Sequence, residues 1–175
     1  MNERVDIAVI GGGPAGAATA IRAARAGASV VVFDKAPHGR DKICGDGLTP
    51  RAVQALNELD IPLTDAHLVD GLRMIAGKRQ RELPWSDGDR FPAHGAVWPR
   101  RRLDAALIDA ATEAGADVRF ETEAEPVFGD DGSVTGVRAG TDTIEAGLVV
   151  AATGAPGKVA RMLGAERDPN EPFGL

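Results

Sequence analysis

Three glycines at a fixed spacing, Gly11, Gly13 and Gly16, stand between an apolar run and a helical pattern, and Asp34 follows eighteen residues past Gly16. In such a Gly-x-Gly-x-x-Gly array the first glycine permits a tight turn. The second lets backbone approach a pyrophosphate, and the third lets helix and strand pack closely. A helix opening at Pro14 and Ala15 would offer its free N–H groups and about half a positive charge to phosphate oxygens. Asp34, ending the next apolar run, is placed to accept from a ribose 2′-hydroxyl, and Lys35 beside it is a further candidate contact. FAD and NAD share this arrangement, so the spacing by itself leaves the choice between them open.

A second stretch with chemical potential is "RDKICGDGLTPRA", residues 40–52, which holds the sole cysteine, Cys44, close to Gly45 and Gly47. The glycines remove side chains where a flat group could lie against backbone. The thiol is either a small buried apolar residue, the commonest state of a free cysteine, or a wall of such a site. Arg40 and Lys42 make the loop basic. Further on, Arg100, Arg101 and Arg102 crowd a helix start, where cations are disfavoured by about 0.3–1 kcal/mol each. A bound pyrophosphate would offset that, Asp104 does so in part, and a solvated basic patch is the alternative. His94, between Pro92 and Gly95 with one residue to spare, reads as a solvent-facing loop residue, and Trp85 and Trp98 read as core or pocket wall. The acidic clusters "DGDR" (87–90) and "GDDGS" (129–133) read as turns and no metal site is expected.

The elements that would position these residues follow from periodicity. Val5 to Ile10 reads as a strand buried on both faces, Pro14 to Ala26 as a helix ended by Gly27, and Val30 to Phe33 as a second, parallel strand. Thr49 and Pro50 form an N-cap and first helical residue for a helix reaching about Leu59. "GLRMIAGKRQRELP" alternates about a Gly-Lys turn and predicts a hairpin, and Ala96 to Trp98 a short strand. Leu103, Ala106, Leu107, Ala110, Ala111 and Ala114 recur at helical spacing before Gly115. Asp117 to Phe120 reads as a strand. The segments 125–128, 134–139 and 143–146 read as a separate small antiparallel meander. Leu148 to Ala152 reads as one more buried strand before "TGAPG".

The motifs, taken in order, resemble the geranylgeranyl reductase family of FAD-dependent oxidoreductases, relatives of the aromatic-hydroxylase-type flavoproteins. The resemblance runs through the glycine fingerprint, Asp34, "KICGDGLTPRA", "WPRRRLDAAL" and "LVVAATGAPGKVARMLG". It implies an α/β, Rossmann-type FAD-binding domain carrying the meander. FAD is implied as cofactor, with the Cys44–Gly45–Gly47 loop beside the isoalloxazine and Arg100 against the cofactor. The site residues it implies are Gly11, Gly13, Pro14, Ala15, Gly16, Asp34, Lys35, Arg40, Cys44, Arg100 and Gly154. One departure stands out: Thr153 precedes Gly154 where related flavoproteins carry Asp, and Gly157 stands at a serine position. The chemistry implied is reduction of carbon–carbon double bonds in a prenyl chain on a lipid or quinone, with NAD(P)H or an electron carrier as reductant. A flavin monooxygenase on the same scaffold and a non-catalytic FAD-binding fragment are the alternatives. A plain NAD-dependent dehydrogenase has less support, because no catalytic pair follows the fingerprint.

The bulk numbers set the frame. With 175 residues and 43% hydrophobic content the chain supports one domain, or a domain with a small appendage. A net charge of −6 gives no basic field for nucleic acid. One cysteine excludes an intramolecular disulfide, and no apolar run reaches the roughly 18 residues of a membrane span. The expected location is the cytoplasm, with peripheral membrane contact suited to an isoprenoid substrate. Residues 1–175 are expected to be the N-terminal portion of a longer flavoprotein, 71–98 being part of a substrate-side insertion. On that expectation this chain alone holds FAD weakly and reduces no alkene.

Overall fold

Val, Ile and Ala dominate the first apolar run, and β-branched side chains favour a pleated, buried backbone. In the computed structural model, which describes residues 3–86, 88, 90–154 and 157–165, that run is β1 (Glu3–Ile10). It is followed by α1 (Pro14–Arg25), β2 (Val30–Phe33), β3 (Gly47–Leu48), α2 (Pro50–Asn57), β4 (His67–Val69), β5 (Gly71–Ala76) and β6 (Arg79–Pro84). Then come β7 (Gly95–Val97), α3 (Arg100–Glu113), β8 (Asp117–Arg119), β9 (Ala124–Phe128), β10 (Val134–Ala139), β11 (Asp142–Ala151) and α4 (Lys158–Met162). The chain divides into two units, Met1–His38 with Ile108–Leu175, and Gly39–Leu107.

The first unit is a six-stranded sheet in the order β8-β2-β1-β11-β10-β9. β1 pairs in parallel with β2, Ile7 opposite Val30 and Ile10 opposite Phe33, and in parallel with β11 on its other side. All four residues of β2 are buried. Ala8, Ile10, Val31, Phe33, Val137 and Ile144 belong to one core cluster. α1 lays Gly16, Ala17, Ala20 and Ile21 into the interior; Ile21 is fully buried, which contributes roughly 2 kcal/mol. Gly27, at φ 88°, ends α1 as the left-handed residue that a helix stop calls for.

Two sequence expectations are corrected here. The third meander segment and the supposed separate strand 148–152 are one ten-residue strand, β11. It pairs antiparallel with β10 over Asp142–Glu145 and parallel with β1 from Ile144 onward. Gly147 is taken into the strand, because its missing β-carbon leaves room for the Asp6 carbonyl. The meander is therefore an extension of the main sheet. Nor is the second half of β11 buried: Leu148 is 55% exposed.

In the second unit β3, β7 and β4 form an antiparallel sheet, and the predicted hairpin is the two-stranded sheet β5–β6. Thr49 caps α2 by accepting from the Ala52 N–H. Val53 and Leu56 of α2 are buried, and α2 packs on β7. Gly95 is compelled: a β-carbon there would meet the Leu48 carbonyl oxygen and the Trp85 ring, each at 2.4 Å. Trp85 is thus a wall of this sheet, as expected. Trp98 is buried with its indole N–H unpartnered. The hairpin exposes Leu72, Met74 and Ile75. No helix among the described residues is long and apolar enough to cross a membrane.

Candidate functional site

The predicted residues fall into two groups, one in each unit. In the first, β1 runs into the turn Gly11–Gly13 and α1 begins at Pro14. Gly11 has φ 109°, and a β-carbon on it would lie 2.4 Å from the Ala152 carbonyl oxygen. At Gly16 it would lie 1.8 Å from the Gly11 carbonyl oxygen and 3.1 Å from Val9 Cγ1. These glycines let the end of β11, the turn and α1 share one small volume. Gly13 is the N-cap of α1. No side chain caps that helix and its first turn carries no acidic residue. Its leading N–H groups therefore point outward from a positive helix end with no side chain bonded to them. Pro14 is half-buried and Ala15 exposed at this end.

Asp34 sits at the carboxyl end of β2 and is 8% exposed. Oδ2 accepts from the Gly12 N–H at 2.9 Å and Oδ1 from the Ala36 N–H at 2.9 Å. The carboxylate thus fixes the glycine turn. Only the terminal acid was legible in the sequence, while its bond to Gly12 was not. Lys35 is exposed. Thr153 and Gly154, the latter at φ 73°, follow β11 and are both exposed. Gly157 caps α4. Asp131 of "GDDGS" accepts the Ser133 N–H and hydroxyl, so that cluster is a turn. Asp87 and Asp89 of "DGDR" lie outside the described residues.

The second group belongs to residues 39–107. Cys44 is exposed, which overturns the buried alternative. Its thiol is held below the ordinary thiol range, first by the neighbouring Asp46 backbone N–H and then by the Arg100 side chain, with burial opposing. A β-carbon at Gly45 would meet nothing within 4 Å, and one at Gly47 only the Gly45 carbonyl oxygen at 3.8 Å. Neither has positive φ; that conformation falls to Asp46, at φ 55°. Ile43 is fully exposed. His94 is half-buried, with Nδ1 3.4 Å from the Gly95 carbonyl oxygen, rather than solvent-facing.

Arg100 is the first residue of α3, yet a free cation at the helix start is not what the structure holds. Its Nε and Nη2 donate to Asp104 Oδ1 and Oδ2 at 2.8 and 2.9 Å. Asp104 is buried, and Arg40 Nη1 lies 3.7 Å from its Oδ2. The Asp104 carboxylate raises the Arg100 pKa further above its ordinary value, burial opposing and Cys44 adding to the effect. The Arg100 N–H donates to Asp46 Oδ1 at 3.0 Å. Internal carboxylates thus provide the compensation that an external anion was expected to provide. Asp46 is the residue that sequence reasoning missed, whereas Asp104 was already read as offsetting the arginines in part. The available signal was Asp104 four residues after Arg100, the spacing of a helical ion pair.

The uncapped, glycine-lined end of α1 suits a pyrophosphate, and the Asp34 carboxylate stands against the same turn. The Gly45–Gly47 backbone is open to a flat ring.

A family model described as "FAD binding domain" matches residues 4–174. A menaquinone reductase from Mycolicibacterium smegmatis is 41% identical over 168 residues, covering 94% of this chain and 41% of that protein. Digeranylgeranylglycerophospholipid reductase 1 from Methanopyrus kandleri is 34% identical, covering 91% of this chain and 42% of that protein. Among solved structures, a geranylgeranyl bacteriochlorophyll reductase-like protein from Thermoplasma acidophilum superposes with a TM-score of 0.77 at 30% identity. That superposition covers 95% of this chain and 43% of the other. The chain spans about two fifths of the length of the relatives it matches.

Proposed function

The chain belongs to the FAD-binding domain family, and from that premise we propose that it is the nucleotide-binding part of a reductase acting on prenyl-chain double bonds. The observation that carries this reading is the 41% identity that spans 94% of the chain. A continuous match of that length takes in the glycine turn, the Cys44 loop and the start of α3 together. Relatives named as reductases of menaquinone and of a digeranylgeranyl lipid share a prenyl chain as the chemical feature of their substrates. Their names favour reduction over hydroxylation on this scaffold.

FAD bound in its reduced form would supply a hydride for one alkene carbon, and a positioned acid or water the proton for the other. The chain's own residues do the holding. The first-turn N–H groups of Ala15 and Gly16, reached over Gly11 and Gly13, bind the pyrophosphate oxygens. Asp34 accepts from the ribose hydroxyls while keeping Gly12 in place, and Lys35 and Gly154 flank that half. In the other unit Gly45 and Gly47 leave backbone open for the flat ring. Cys44 is a wall held by Arg100, and Arg40 and Asp104 keep the Arg100 guanidinium in a fixed plane. The segment 71–98 belongs to the substrate side. NAD(P)H or a reduced electron carrier is the source of electrons, and a prenylated substrate brings the protein to a membrane surface from the cytoplasmic side.

The test is reduction of menaquinone by the FAD-loaded full-length reductase of which this chain is proposed to be part, its flavin first reduced with dithionite under anaerobic conditions, with product followed by mass. A gain of two hydrogens in the prenyl chain supports the reading. Incorporation of oxygen from air by the reduced protein, with no such gain, would replace it with the monooxygenase alternative.

A further inference from the structure

Asp46 stands between the two glycines of the Cys44 loop at φ 55°. That left-handed region is one that aspartate and asparagine tolerate and other non-glycine residues avoid. Two hydrogen bonds hold it there. Its carbonyl oxygen accepts the Trp98 N–H at 2.9 Å. Its Oδ1 accepts the Arg100 N–H at 3.0 Å, across 54 residues of sequence. Its backbone N–H also lies on the side of the Cys44 thiol and favours the thiolate. Trp98 and Arg100 flank Pro99 where β7 gives way to α3, so one loop residue is fastened to that corner from both its backbone and its side chain. Gly47 beside it pairs with Val97 in the β3–β7 sheet, but upstream Ile43, Cys44 and Gly45 are exposed, and a β-carbon on Gly45 would meet nothing within 4 Å.

We propose that Asp46 is a positioning residue whose carboxylate latches the loop to the first turn of α3. The latch sets where the Cys44 thiol and the open Gly45 backbone stand. Its consequence for flavin rests on the function proposed above, but the latch itself does not. A helix cap alone would stabilise α3 and leave the thiol's surroundings untouched. A latch also keeps Sγ beside the Arg100 guanidinium, itself fixed by Asp104 and neighboured by Arg40.

The chain has one cysteine, so the pH profile of its alkylation by iodoacetamide reads that thiol without ambiguity. Asp46→Asn keeps the acceptor and tolerates the backbone conformation, losing only charge. Asp46→Gly takes the same φ freely and loses the acceptor. The latch predicts opposite movements. In the asparagine variant the midpoint stays or falls slightly, because a nearby negative charge is gone. In the glycine variant it rises towards the ordinary thiol value, and FAD affinity falls about tenfold. Coincident profiles for the two variants would overturn the latch. Should the glycine variant fail to fold by circular dichroism, hydrogen exchange of the Arg100 amide decides instead. The latch expects protection in the wild type and in Asp46→Asn, and rapid exchange in the wild type refutes it. If the wild type takes up no FAD while the two profiles still separate, the latch stands and the flavin reading falls.

Discussion

At Gly16 a β-carbon would fall 1.8 Å from the Gly11 carbonyl oxygen, whereas at Gly45 it would meet nothing within 4 Å. The turn in the first unit is full: β11, the glycine turn, Asp34 and α1 occupy one another's space, and glycine is demanded by the chain's own backbone. The loop in the second unit is open and gives no internal reason for its glycines. A dinucleotide fingerprint therefore mixes two requirements, folding and ligand approach, in one string of residues. A glycine that the fold does not need is the cleaner pointer to something arriving from outside.

Substitutions should separate the two regions. The largest effect is expected for Gly16→Ala, where backbone must move to admit a methyl group. It should destabilise the chain by about 3 kcal/mol, at the upper end for overpacking, as read from its denaturant midpoint. An unchanged midpoint would mean that the turn is looser than described. Asp34→Ala should weaken FAD binding about tenfold and lower stability by about 1–3 kcal/mol. The stability loss arises because the Gly12 and Ala36 N–H groups lose their acceptor.

Gly45→Ala and Gly47→Ala should do the reverse of Gly16→Ala. Stability should stay within about 0.5 kcal/mol of the wild type, as for exposed sites, while FAD affinity falls. Full affinity in both variants would place the ring elsewhere. Smallest is Cys44→Ser, which should leave FAD affinity within about threefold, under 1 kcal/mol. Arg100→Gln should shift the Cys44 alkylation midpoint upward, since the guanidinium favours the thiolate. With a folded-state pKa below the unfolded one, the thiolate's stabilisation is present above the ordinary thiol value. It fades as pH falls through the lowered one.

Most of the parallel half of the fold was legible because its signals are local. The run 5–10, the glycine turn and the buried 30–33 each announce themselves within a few residues, as does the hairpin about Gly77. β11 was not, because it changes partner along its length, antiparallel to β10 and then parallel to β1. The glycine at 147 was read as a break, although it only makes room for the Asp6 carbonyl. β3 and β4 were missed for a related reason: two or three residues carry no period, and both exist only through pairing with β7. At the site, residue types pointed to Asp34, Cys44 and Arg100. The roles of Asp46 and Asp104 depended on distances that span up to 54 residues or on which carboxylate was buried.

Titration of FAD fluorescence with the purified wild-type chain, Asp34→Ala and Gly47→Ala, each first shown to be folded by circular dichroism, tests the central claim most directly. Saturable quenching by the wild type, weakened in both variants, with Asp34→Ala also less stable and Gly47→Ala not, is the predicted result. A folded wild-type chain that leaves flavin fluorescence unchanged, or variants that bind FAD as the wild type does, would contradict it.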